Sequence, residues 1–162
     1  MKRLEIEGSV HLYYAYGFVM VFDKSEPTPQ ARWIQQHENQ GFARRERSVM
    51  FSTLRQEGKA TVNAFEGWPV DLGQGSRIIA VPLKVLSGEL SIQGPEEWPE
   101  ARYVKVAPGV NTVILSQRID EVTDQLVLDF FIDAIATENS KILKAGGLHN
   151  IPSVLLETAE PV

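Results

Sequence analysis

The chain reads as a succession of short apolar runs cut by turn residues, with a period nearer two than 3.6. Across residues 10–22 the even positions carry Leu12, Tyr14, Tyr16, Phe18, Met20 and Phe22, which predicts one face of large side chains. Gly17 interrupts that run and marks a bulge, a bend or a break between two strands. Thr28-Pro29 predicts a helix start, because the hydroxyl can cap free amides and proline needs no amide hydrogen at the first helical position. Trp33, Ile34 and His37 then share one side, with Trp33 expected in the core, and Gly41 supplies the stop. Residues 48–53 and 59–65 flank Glu57-Gly58, a hairpin pattern. Residues 77–86 form a strand in which Pro82 lacks a donor, so it belongs at an edge or a bulge. Ser87-Gly88 turns into a strand at 89–92, and residues 102–106 and 112–118 flank Pro108-Gly109 as a further hairpin. Residues 126–135 are the last strong strand, its second face made partly wet by Asp129 and Asp133. Residues 139–147 predict a short helix ended by Gly146-Gly147.

These elements sum to a mainly β chain, an antiparallel β sandwich with one or two short helices. At 162 residues one domain is expected. Residues 1–136 would form the sandwich and residues 137–162 a C-terminal arm, docked or flexible. Ile151, Val154, Leu155 and Leu156 make that arm too apolar to be assigned to disorder.

Composition narrows the chemistry. There is no cysteine, hence no disulfide framework, thiolate metal site or thiol nucleophile, which fits a cytoplasmic protein. With Glu5 and Glu7 interrupting the apolar residues behind Lys2-Arg3, no secretory signal is expected, and no uncharged run reaches the roughly 18 residues of a membrane span. The net charge of −5 is uneven: residues 1–81 hold ten Lys/Arg against nine Asp/Glu, and residues 82–162 hold six against twelve. That imbalance argues against direct nucleic-acid binding and suits a basic protein partner.

No catalytic, metal or cofactor site is expected. His11, His37 and His149 have no ligand-like spacing, and there is no G-x-S-x-G elbow. Gly73-Gln74-Gly75 lacks the lysine of a phosphate loop and reads as a flexible connection. Asp129 and Asp133 lie four apart on one strand, roughly 13 Å between β-carbons, too far for an acid–base pair. Arg44, Arg45 and Arg47 form the basic cluster of the chain, and intramolecular pairing is favoured over an anion site. Trp68 reads as a lid over an open end of the sandwich, whereas Trp98 is equally a lid or a binding anchor.

One segment carries a family resemblance. Val21-Phe22-Asp23, Pro27-Thr28-Pro29, Trp33, Gly41-Phe42-Ala43 and Phe51 resemble the competence protein J family, best over residues 10–65. A weaker echo continues through Val81-Pro82-Leu83, residues 88–92 and the Gly109 turn. The resemblance implies a small bacterial, non-enzymatic inhibitor of a DNA-entry nuclease. Its residues are scaffold, so no contact residue transfers with it. An acidic surface that imitates phosphate charge would meet a basic nuclease or toxin. The candidate contacts are Glu96, Glu97, Trp98 and Glu100 in one loop and Asp120, Glu121 and Asp124 in another. The alternative is a β-sandwich module that binds a small ligand or carbohydrate through Trp68 and Trp98.

Overall fold

The computed structural model describes residues 1–97 and 102–162. In chain order its elements are β1 (His11–Tyr14), β2 (Phe18–Asp23), α1 (Gln35–Gln40), β3 (Phe42–Arg44), β4 (Ser48–Ser52) and β5 (Gly58–Glu66). There follow β6 (Arg77–Val85), β7 (Glu89–Gln93), β8 (Arg102–Lys105), β9 (Gly109–Ile119), β10 (Leu126–Asp133) and β11 (Lys141–Ala145). One sheet has the order β1-β5-β10-β9-β6-β11 and the other β3-β4-β2-β7-β8. The β5–β10 pair is parallel and the other strand pairs are antiparallel. The core lies between the sheets, where Phe42, Phe51, Leu90 and Ile92 of one share a cluster with Leu83, Leu115, Leu128 and Phe130 of the other. This is the mainly antiparallel sandwich with a short helix that the apolar pattern predicts.

Several connections differ from expectation in one consistent way. The hairpin expected about Glu57-Gly58 does not form, because β4 lies in the five-stranded sheet and β5 in the six-stranded one. The hairpin expected about Pro108-Gly109 fails likewise, since β8 and β9 lie in opposite sheets. A turn motif dictates that the chain reverses, not whether the next strand bonds beside its predecessor or packs across from it. Two half-apolar strands bury their faces equally well across the core.

The same crossing corrects the predicted face of residues 10–22. Tyr16 (φ 58°) and Gly17 (φ 73°) are both left-handed and form a tight turn that carries the chain between sheets. Parity flips there. Leu12 and Tyr14 face the core from β1, but Val19 and Val21 face it from β2. Met20 and Phe22 point to the outer face, where they pack with Ala31, Ala43 and Met50, and Trp33 packs against that cluster.

Helix α1 starts later than Thr28-Pro29 predicts. The Thr28 amide and hydroxyl both donate to Glu26 Oε1, at 3.1 Å each, which closes a turn and leaves no cap. The His37 ring caps the helix instead, its Nδ1 accepting the Ile34 N–H at 3.1 Å. Gly41 ends the helix at φ 83°, as expected, its N–H bonded to the His37 carbonyl. The helix expected over 139–147 is strand β11, which pairs with β6 through a bulge between Ile142 and Lys144. Pro82 sits at an edge as expected. The β11 pairing ends at Ala80, and the Pro82 carbonyl accepts from Arg44 Nε at 2.6 Å. The rest of the basic cluster is also used internally, with Arg45 donating to the Thr28 carbonyl and Arg47 paired to Asp23 at 2.9 Å.

Candidate functional site: an acidic rim

Four connections meet at one end of the sandwich, where β1, β4, β7 and β9 finish and their successors begin. The Gly17 N–H donates to the Gln56 carbonyl at 2.8 Å, and the Thr53 N–H donates to the Gly17 carbonyl at 2.9 Å. The Tyr16 hydroxyl donates to Glu96 Oε1 at 2.8 Å. Arg55 Nη2 donates to Asp124 Oδ1 at 2.7 Å. The turns at 15–17, 53–57, 94–97 and 120–125 are thereby joined into a single rim. Of the candidates named on sequence grounds, Glu96, Glu97, Asp120, Glu121 and Asp124 lie in these turns.

The carboxylates there do different jobs. Glu96 is exposed and anchors Tyr16, itself 71% exposed. The hydrogen bond and charge of Glu96 raise the Tyr16 phenol above its ordinary value. Asp120 accepts the Val122 and Thr123 amides at 2.8 and 3.1 Å, and these bonds, Thr123 first, hold its carboxyl below the usual range. Asp124 is also lowered, by the hydrogen bond and then the charge of Arg55, which offsets part of its own charge. Glu121 and Glu57 are exposed and make no ion pair among the described residues. Val122, 94% exposed, puts an apolar tip among these acids.

Glu97 departs from expectation. Its side chain is 8% exposed and forms a two-point ion pair with Arg102, 3% exposed, at 2.9 Å for each contact. It also accepts the Gly94 and Tyr13 amides at 2.8 and 3.2 Å. Burial opposes its ionisation, but the Arg102 hydrogen bonds and the two amides outweigh it and lower the pKa. With its oxygens spent inside the chain, Glu97 fastens the loop and is no surface contact. Trp98 and Glu100 lie outside the described residues. Trp68 covers Ile78, Ala80 and Ile114 on the outer face of the six-stranded sheet, not an open end of the sandwich.

Tyr16 and Glu57 went unnamed as candidates in the sequence. Among the described residues no group of three or more His, Asp or Glu side chains could hold a metal ion, and no helix is long and apolar enough to cross a membrane.

The fold has solved counterparts. ComJ of Bacillus subtilis, an inhibitor of the DNA-degrading activity of NucA, superposes with a TM-score of 0.64 at 16% identity. That match covers 84% of this chain and 98% of ComJ. The product of crocagin biosynthetic gene J superposes at 0.51 with 14% identity, covering 81% of this chain and 98% of its own. At such identities the likeness is one of fold. No curated protein matches the sequence closely enough to count as a relative. The family described as Competence protein J matches residues 11–130, most of the 162-residue chain. The chain therefore belongs to the competence protein J family.

Proposed function

We propose that this protein is a cytoplasmic, non-enzymatic inhibitor that binds a basic nuclease or toxin through the acidic rim. Family membership supports the class of function, together with the inhibitory role of the B. subtilis structure of the same fold. The observation that carries the site is the convergence of Glu57, Glu96, Asp120, Glu121 and Asp124 on one end of a rigid sandwich, with Tyr16 and Val122 standing among them. A nuclease groove built for phosphates is positive. Fixed carboxylates at a rim can fill it by charge complementarity, and the exposed aromatic supplies the anchor that such interfaces use. The 16% identity to ComJ leaves the partner's identity to these groups rather than to inheritance.

The test is DNA hydrolysis by NucA and by nucleases in host extract, titrated with the purified chain. We expect inhibition that saturates at one chain per nuclease. The triple variant Glu57→Lys, Glu96→Lys, Glu121→Lys should lose at least about tenfold in affinity, since like charges facing one another cost several kcal/mol. Unchanged DNA hydrolysis at excess wild-type chain would remove the inhibitor reading. Full inhibition by the triple variant would remove the rim.

A further inference from the structure

The outer face of the five-stranded sheet holds a second feature, away from the rim carboxylates. Strand register sets Ser48, Phe22, Ser91 and Tyr103 in one row across β4, β2, β7 and β8. Met50, Met20 and Gln93 form the next row. Residues 24–30 arch over the β2–β7 part of this face and leave a pocket of about 530 Å³. Its floor is Met20, Phe22, Ser91 and Gln93, and its walls are Pro27, Pro29, Pro95 and Tyr103.

Ser91 is 1% exposed, and its hydroxyl has no hydrogen-bond partner among the described residues. Buried hydroxyls in folded proteins are nearly always bonded, so this one calls for an explanation. The charged groups at the mouth are already matched within the chain. Lys24 Nζ lies 3.4 Å from Glu89 and 4.3 Å over the Tyr103 ring. Glu26 accepts from Thr28 and faces Arg47 at 3.7 Å. What remains for a guest is apolar wall, the Ser91 hydroxyl and the Gln30 and Gln93 carboxamides, all of which can donate and accept. The fixed φ of Pro27 and Pro29 makes the arch stiff, and the volume falls within the range of small-molecule sites, about 300–1,000 Å³.

We propose that this pocket binds a neutral, mainly apolar small molecule carrying an amide or carbonyl group, which the Ser91 hydroxyl reads. The site borders the rim only through Pro95, uses none of its carboxylates, and its test needs no nuclease. N-benzylacetamide is titrated into the full chain while the Met20 methyl and Ser91 amide are followed by NMR, with butylbenzene as the probe lacking an amide. The amide should give saturable shifts at both residues. Ser91→Ala should weaken it about 2- to 10-fold, the worth of one hydrogen bond, while leaving butylbenzene unaffected. Ser91→Ala without probe should melt at or above the wild-type temperature, because it deletes a hydroxyl with no partner. Absence of a saturable Met20 shift, equal amide affinity in the variant, shifts confined to Tyr16 and Glu96, or a clear fall in melting temperature would each overturn the proposal.

Discussion

Asp23 and Glu97 carry more of the fold than any exposed acid. Asp23 is fully buried and gathers the Ser87 hydroxyl, the Leu86 amide at 2.8 Å, the Ser25 amide and hydroxyl, and Arg47. Burial works against its ionisation, yet those donors, Ser87 first, prevail and hold its pKa far below the ordinary value. A carboxyl whose pKa is depressed by folding stabilises the native state above its unfolded pKa, about 3.9 for Asp, and that contribution fades as pH falls toward the folded value. Urea midpoints should therefore hold from neutrality down to about pH 5 and then decline. Asp23→Asn should start lower at pH 7 and decline less steeply. An unchanged slope would show that Asp23 is not the group being titrated. Arg102→Met strands the Glu97 carboxylate and should cost about 3–5 kcal/mol by chemical denaturation, as removal of one member of a buried pair does. At the rim, Glu96→Gln should return the Tyr16 phenol toward its ordinary value, read from the ring-carbon NMR titration, because its charge and hydrogen bond hold that value up.

Helix α1 and β3 clasp the segment after β11 through main-chain groups. Gln40 is wholly buried, and its carboxamide donates to the Leu156 carbonyl at 3.0 Å and accepts the Leu156 N–H at 2.9 Å, as a neighbouring strand would. His37 Nε2 meets the Thr158 carbonyl at 3.0 Å, and Arg44 donates to the Glu157 carbonyl at 3.0 Å. Since His37 Nδ1 accepts from Ile34, the ring is the Nε2–H tautomer and donates to Thr158. Glu157 closes the clasp by accepting the Ser140 amide and hydroxyl at 2.7 and 2.6 Å. Gln40→Ala leaves buried backbone groups unbonded and should destabilise the chain by about 1–3 kcal/mol. Hydrogen exchange at the Leu156 amide should accelerate first, ahead of β9 and β10. Equal acceleration throughout would mean that the clasp is no separate element. Little of this showed in the sequence, because nothing local to Gln40, His37 and Arg44 says which distant stretch of chain will cover them.

For the whole molecule, the proposed interface is electrostatic and should behave so. Binding of the nuclease should weaken steeply as ionic strength rises past about 0.1 M, where the screening length is about 10 Å, with the loss mainly in the association rate. A salt-independent affinity would point to apolar anchorage through Tyr16 and Val122 instead.

Alternation of apolar residues and the placing of Gly and Pro were enough to announce a β sandwich, its strands other than β3 and β11, the Gly41 stop and the edge at Pro82. Those features are local, set by side-chain period and by which φ a residue can reach. Local chemistry could not choose between pairing beside a neighbour and packing opposite it, so the crossings at Tyr16-Gly17, Glu57-Gly58 and Pro108-Gly109 emerged only in three dimensions. The acidic rim has the same origin. Glu57, Glu96 and Asp124 are scattered along the chain and are brought together by strand order. Glu97, alike in sequence to Glu96 beside it, is turned inward onto Arg102, whereas Glu96 stays at the surface and meets Tyr16.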